Sequence, residues 1–276
     1  MERVQLVGGG KMGEALLGGL LAAGWAEPSE VRVVEQLPAR RAELAQRFPG
    51  VVIEASIGPA PAAVVVVKPN DVPAACHQLA AFGQAHRVLS VAAGVTTAAI
   101  EGALCPTEGG PRLEDVAVVR AMPNTPALVG EGASAIAGGS RASDADLDWA
   151  ESILGSVGRV VRVTEAQLDA VTGLSGSGPA YVFLVAEALV EAGVLVGLAR
   201  PVAEVLVTQT LLGSARLLAE SDRSAGELRA DVTSPGGTTA AGLRALEDRA
   251  VRAALADADV AATARSAELG RPGTGA

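Results

Sequence analysis

Aromatic side chains are nearly absent from this chain: three Phe, two Trp and one Tyr, 2% of 276 residues. Its cores must be packed from Ala, Val and Leu, within an apolar content of 49%, which suits helices and parallel strands. The same scarcity leaves no surface on which nucleic-acid bases could stack. Cations are also few, 22 Lys and Arg against 31 Asp and Glu, and the net charge of −9 repels nucleic acid and anionic membrane alike. An anionic small molecule would have to be held by local donors against that field. Only two cysteines occur, Cys76 and Cys105, and they form no C-x-x-C pair. Neither a disulfide framework nor a zinc site is expected, and the compartment reads as reducing and cytoplasmic. No charged segment followed by an apolar run precedes the first strand, so no signal peptide is expected.

Reactive side chains are scarce too. Lysine occurs only as Lys11 and Lys68, histidine only as His77 and His86, and tyrosine only as Tyr181. The two histidines are expected to flank one helix and have no evident triad partner. No H-x-x-E-H pattern and no paired carboxylates on one helix face suggest a metal, so none is expected. Ketone reduction normally needs a proton donor held at the carbonyl oxygen. Reduction of an imine depends less on one, because the nitrogen can arrive already protonated. Hydride transfer then needs mainly positioning and a hydrogen-bond partner for that nitrogen.

What is present begins at residue 3. A short apolar strand over residues 3–7 runs into Gly8-Gly9-Gly10-Lys11-Met12-Gly13, and an apolar helical pattern follows over Glu14–Ala23. This is G-x-G-x-x-G in its required strand–turn–helix setting. Gly8 permits the tight turn, Gly10 lets a pyrophosphate approach the backbone, and Gly13 lets helix and strand pack closely. A second strand, Val31–Val34, ends in Glu35, at the spacing of the acid that grips a ribose 2′-hydroxyl. Glu35 favours NADH, whereas Arg40 and Arg41 on the next helix are placed either to accept a 2′-phosphate or to be solvated surface charges. Both NADH and NADPH therefore stay open.

Further along, continuous apolar strands are expected at Ala63–Val67, Val88–Val91 and Val116–Val119, with helices at Arg40–Gln46, Val72–Ala81 and Thr97–Leu104 between them. Lys68 and Pro69 close one of these strands at its carboxyl end, where open α/β sheets bind ligands. A strand around Ser134–Ala137, a helix at Asp144–Leu154 and a strand at Val160–Val163 complete a doubly wound sheet. From Glu165 onward the pattern is helical only. The fold class is thus an α/β Rossmann-like N-terminal domain with a parallel sheet, residues 1–163, plus an all-α C-terminal dimerisation domain, residues 164–276. Within the latter, Tyr181–Leu198 and Val202–Leu218 are apolar on nearly every side, which predicts a large helical dimer interface. Glu187 and Glu191 make the first of these a buried bundle helix more readily than a membrane span. The Gly-rich tail Arg271–Ala276 is expected to be disordered.

Almost two hundred residues beyond the fingerprint lies Val232-Thr233-Ser234-Pro235-Gly236-Gly237-Thr238-Thr239. Gly236 and Gly237 bare the backbone N–H groups, and Ser234, Thr238 and Thr239 add hydroxyls. The segment 240–248 reads as a helix, so the turn sits where unpaired N–H groups favour a carboxylate or phosphate. The plainer alternative is an N-cap and turn.

Four motifs together resemble the pyrroline-5-carboxylate reductases: Gly8–Gly13, Arg120-Ala121-Met122-Pro123-Asn124-Thr125-Pro126, Ser175-Gly176-Ser177-Gly178-Pro179-Ala180-Tyr181, and Asp231 to Leu243. The similarity runs over essentially residues 3–268. It implies reduction of 1-pyrroline-5-carboxylate to L-proline, the last step of proline biosynthesis, with hydride from NADH or NADPH. It further implies that the first domain binds the dinucleotide and that the helical domain forms an interleaved homodimer, or a higher homo-oligomer such as a decamer. By the same resemblance Ser234, Gly236, Gly237 and Thr238 hold the substrate carboxylate, Thr239 approaches the ring nitrogen, and Lys68, Ala92, Met122, Pro123 and Asn124 line the cofactor cleft. Two stretches depart from the pattern: residues 53–57, Ile-Glu-Ala-Ser-Ile, lack the Asn often found there, and Ala219–Arg223 is short, with Asp222 as a candidate second-chain contact. A β-hydroxyacid dehydrogenase of the same plan would be expected to carry a lysine on the helix after Ser177, and Tyr181–Leu195 has none. A nucleotide-sensing scaffold would be expected to have a degenerate fingerprint, and this one is intact.

Overall fold

A computed structural model describes residues 3–105, 113 and 115–270; the expectation for Arg271–Ala276 lies outside them. Two compact units divide the chain: Met1–Ser177 together with Val260–Ala276, and Gly178–Asp259.

The first unit is built on strands β1 (Val4–Val7), β2 (Val31–Val34), β3 (Val52–Glu54), β4 (Ala62–Val65), β5 (Arg87–Ser90), β6 (Ala117–Met122), β7 (Gly132–Gly138) and β8 (Gly158–Arg162). They form one sheet in the order β3-β2-β1-β4-β5-β6-β7-β8. All neighbours are parallel except β6 and β7. From β1 the chain steps outward to β3, then returns to the other side of β1 as β4. That reversal opens a crevice at the carboxyl ends of β1 and β4, the place where such sheets take ligands.

Helices α1 (Lys11–Ala22), α2 (Pro38–Arg47), α3 (Val72–Phe82), α4 (Thr97–Leu104) and α5 (Asp144–Leu154) cover both faces. Period-two alternation decides which side chain meets which helix. On one face Val4 and Leu6 of β1 and Val64 of β4 share a core with Leu16, Leu17 and Leu20 of α1, Leu44 of α2 and Ile153 of α5. On the other, Val7, Ala63 and Val65 meet Val72 and Leu79 of α3 and Ile100 and Leu104 of α4. Each fully buried Leu contributes about 1.5–3 kcal/mol, so aliphatic packing suffices without aromatics. The strand expected over Ala63–Val67 pairs with β1 only as far as Val65, opposite Val7. Beyond it the glycine turn replaces the ladder. β3 was not expected: it is three residues long, pairs only with β2 and lies at the sheet edge, too short for an alternation to register.

After β8 no strand occurs among the described residues. α6 (Leu168–Val171) runs into a π-type turn, Thr172–Gly176. The last strand ends at Arg162, yet the compact unit continues to Ser177. Leu168 explains this, being buried against Ala135 and Ala137 of β7. The second unit holds α7 (Gly178–Leu195), α8 (Arg200–Glu220), α9 (Ala225–Asp231), α10 (Thr238–Asp248) and the first half of α11 (Val251–Leu269). The end of α11 belongs to the first unit, where Ser266 Oγ donates to Asp169 Oδ1 at 2.7 Å. α7 buries no residue and α8 only Ala203, while Val182, Phe183, Leu184, Val205, Leu206 and Leu212 stand exposed.

Candidate active site

The fingerprint forms a cradle for physical reasons visible in its backbone. Gly8 has φ +118°, and a Cβ there would fall 2.7 Å from the Val66 carbonyl oxygen. A Cβ on Gly13 would fall 2.1 Å from the carbonyl oxygen of Gly8. Strand and helix can approach this closely only because neither position carries a side chain. Gly10 is the N-cap of α1, exposed, with no side chain capping the first turn and open space where its Cβ would be. Bare first-turn N–H groups at a positive dipole end fit the pyrophosphate of a dinucleotide. Lys11 is exposed at the first helical position and Met12 is half-buried behind it.

Glu35, half-buried just beyond β2, is fixed by two backbone donors. Its Oε2 accepts from Gly9 N at 3.1 Å and its Oε1 from Leu37 N at 2.9 Å. The two arginines are neither idle surface charges nor unattached phosphate ligands. Arg40 Nε donates to the Gly9 carbonyl at 2.9 Å, and its other nitrogens pair with Glu14 and, at 3.0 Å, Glu43. The hydrogen bonds it donates to Glu14 and Glu43 raise its pKa above the ordinary arginine value. Arg41 donates to the carbonyl oxygens of Glu35 and Gln36 at 2.9 and 2.7 Å. The carboxyl end of β2 therefore carries a carboxylate held by backbone donors, with both arginines committed elsewhere.

Along the carboxyl ends of β4, β5 and β6 stand the other expected cofactor residues. Lys68 and Pro69 are exposed after β4, and Lys68 makes no ion pair among the described residues. Ala92 is buried after β5, its N–H donating to Ser90 Oγ at 3.3 Å. Met122 is half-buried, and Pro123 and Asn124 are buried. Asn124 serves the backbone: Nδ2 donates to the Ser175 carbonyl at 3.0 Å and Oδ1 accepts from Ala133 N at 2.8 Å. It fixes the loop after β6 to the π-type turn. His77 lies within α3 instead of beside it, and His86 precedes β5 at the opposite end of the strands; both are exposed.

One arrangement here had no sequence expectation. Glu165, just after β8, accepts from the backbone N and the Oγ1 of Thr97, both at 2.6 Å, and from Arg120 Nη1 at 3.2 Å. Burial pushes the Glu165 carboxyl up, but the Thr97 donors and the Arg120 guanidinium reverse this and hold it below the usual carboxylate range. An arginine inside an apolar strand is the available signal, since a buried guanidinium needs an anion. Nothing local says which of 31 acids supplies it.

In the second unit, the turn before α10 is open. Gly236 has φ +70°, and Gly237 N donates to the Ser234 carbonyl at 3.0 Å. The N-cap is Gly237, with no side-chain cap bond. Ser234, Thr238 and Thr239 are exposed, and their hydroxyls make no hydrogen bond among the described residues. Side chains placed merely to cap α10 would bond its first-turn N–H groups; these do not. Asp222 is exposed in the loop closed by the Arg223–Asp231 ion pair, where Arg223 Nη2 meets Asp231 Oδ1 at 2.9 Å. The candidate residues thus form two sets, one in each unit.

Comparison with known proteins joins both sets in one lineage. Residues 165–269 match the family model for pyrroline-5-carboxylate reductase dimerisation, and residues 3–94 that for NADP oxidoreductase, coenzyme F420-dependent. The pyrroline-5-carboxylate reductase of Mycobacterium tuberculosis is 43% identical, the alignment covering 98% of this chain and 97% of the relative. The chain belongs to the pyrroline-5-carboxylate reductase family. A solved pyrroline-5-carboxylate reductase from Coxiella burnetii superposes with a TM-score of 0.89 at 35% identity, covering 98% of this chain and 99% of its own. The Plasmodium falciparum pyrroline carboxylate reductase, solved with NADP bound, gives 0.80 at 27% identity, with 98% of each chain covered. For a pyrroline-5-carboxylate reductase, the exposed apolar faces of α7 and α8 have an explanation. Both helices lie within the dimerisation match, which indicates a homo-oligomer.

Proposed function

We propose that this chain performs its family's reaction, reduction of 1-pyrroline-5-carboxylate to L-proline with hydride from NADH or NADPH, using the two residue sets described above. This is the closing step of proline biosynthesis. The observation that carries the assignment is the turn before α10, whose three hydroxyls and bare N–H groups are not consumed by capping. Backbone N–H groups near Ser234, Gly237 and Thr238 hold the substrate carboxylate, with Gly236 keeping the turn open. Thr239 Oγ1 orients the ring nitrogen. Gly8, Gly10, Lys11, Met12 and Gly13 hold the pyrophosphate, Glu35 the adenosine ribose, and Lys68, Pro69, Ala92, Met122 and Pro123 border the nicotinamide. Asn124 acts by fixing that loop.

The dinucleotide, when bound, supplies a hydride. The C=N bond of the protonated imine accepts it at carbon, its π pair moves to nitrogen, and nitrogen keeps its proton as a secondary amine. The chain's share is therefore binding, alignment and exclusion of water, which agrees with its scarcity of lysine, histidine and tyrosine. Glu35 repels a 2′-phosphate and weights the choice towards NADH, because Arg40 is committed to Gly9, Glu14 and Glu43. α7 and α8 are long and apolar enough to cross a membrane. They instead cover a second copy of the chain, so the enzyme is a soluble cytoplasmic homo-oligomer.

Turnover decides the reading. Mixed with pyrroline-5-carboxylate, the protein should oxidise NADH or NADPH and release one proline per cofactor, while a 2-hydroxy acid with NAD should give none. Turnover of the hydroxy acid alone would refute it.

A further inference from the structure

We infer that Glu165 is a positioning residue for hydride transfer, a single carboxylate that ties together the two loops bordering the nicotinamide. The inference rests on the reading above that Ala92, in the loop between β5 and α4, and Met122 and Pro123, at the end of β6, border the nicotinamide. Thr97 is the first residue of α4, directly after the first loop; Arg120 lies in β6, two residues before Met122. Both are buried. Glu165 reaches them from a third place in the chain, 68 and 45 residues away in sequence. At the other end of the first loop, Val91 N donates to the Val65 carbonyl at 3.1 Å. The loop is thus pinned at both ends, by the sheet on one side and by Glu165 on the other. Between the pins Gly94 has φ +75°, a conformation with little local preference of its own to hold the loop.

Glu165 is itself placed by the chain just past β8, in a short helical turn whose N-cap Thr164 donates from its backbone N and its Oγ1 to Gln167 Oε1, both at 2.9 Å. Its carboxylate accepts from a backbone N–H, a hydroxyl and a guanidinium at once, so it fixes distance and direction between α4 and β6. None of these contacts touches the fingerprint or Glu35, which hold the opposite half of the dinucleotide. Loosening the brace should therefore leave cofactor affinity nearly intact while degrading alignment, and alignment errors near 1 Å cost about a hundredfold in rate.

The test is single-turnover oxidation of bound NADH by pyrroline-5-carboxylate in the full-length oligomer, followed by stopped-flow absorbance for wild type and Glu165→Gln. The hydride-transfer rate should fall about tenfold or more, with the NADH dissociation constant changed by less than about threefold. Because Glu165→Gln leaves a buried guanidinium short of its anion, Thr97→Val and Thr97→Ser form a second pair that leaves the ion pair alone. Thr97→Val, which loses one donor, should transfer hydride at least about threefold more slowly than Thr97→Ser, which keeps both. Equal rates in that pair, or a Glu165→Gln rate matching wild type, would overturn the inference, as would a loss of rate explained wholly by weaker NADH binding. Wild type that does not oxidise NADH with this substrate at all would overturn the functional reading and the inference together; an active wild type with silent variants overturns the inference alone.

Discussion

Replacing Thr239 by Ala separates a substrate-binding turn from a helix cap more sharply than any other single change. Thr239 is the second residue of α10, and the cap of that helix is Gly237, without a side-chain bond. Removing the hydroxyl therefore breaks no hydrogen bond among the described residues. Ala is the better helix former by about half a kcal/mol, so Tm should rise by about 1–2 °C or stay unchanged for a chain of this size. The kinetics should move the other way. A hydrogen bond to a charged nitrogen contributes about 1.5–3 kcal/mol, and its loss lowers kcat/KM by roughly 10- to 150-fold. Most of that loss should appear in kcat, with the KM for NADH little altered. Thr238→Ala should do less, because there the backbone N–H carries the role and survives the substitution. Steady-state kinetics beside thermal melts of the two variants make the assay. A cap would give the opposite result: about 1 kcal/mol of stability lost and unaltered kinetics of the folded enzyme. Equal, kinetically silent effects of Thr238→Ala and Thr239→Ala would refute the assignment.

Three further outcomes are expected. Glu35→Ser removes a carboxylate held by Gly9 N and Leu37 N, and should shift the ratio of kcat/KM for NADPH over NADH upward about tenfold, from about 1–2 kcal/mol of relieved repulsion; an unchanged ratio would mean that the carboxylate does not face the ribose. Sedimentation at dilute concentration should find no folded monomer, since α7 and α8 leave their apolar faces uncovered in one chain; a stable, active monomer would sink the interface argument. Asp146→Asn tests an acid-sensitive contact: burial pushes this carboxyl up, but Ser143 and Arg87, whose Nε lies 2.7 Å away, hold it below its ordinary value. A depressed folded-state pKa contributes stability above the unfolded value of about 4 and loses it as pH falls through the folded one. The stability difference between wild type and variant in urea should therefore be largest near pH 7 and shrink below about pH 4; a pH-independent difference would contradict it.

Much of the first unit was legible from residues 3–35 because its signals are local. An apolar strand, three spaced glycines and an acid at the next strand end depend only on backbone conformation and short-range spacing. The all-round apolar character of α7 and α8 likewise needs no neighbours to be read, and the dimerisation match over residues 165–269 agrees with it. The open turn at Ser234–Thr239 was visible as a composition, although only the uncapped N-terminus of α10 separates it from an ordinary cap. Strand order decided the rest. β3 gains its place by pairing with β2, Leu168 extends the first unit past the last strand, and the end of α11 returns to Asp169. Arg40 could be read from sequence as a phosphate ligand or a solvated charge, and became a clamp on Gly9, Glu14 and Glu43. Arg120 had no assigned partner until the sheet carried Thr97 and Glu165 to it. Local sequence specifies which backbone shapes and apolar faces form, since those energies act within a few residues. Which charged or amide side chain meets which partner depends on contacts tens of residues apart, and the packed sheet alone sets those.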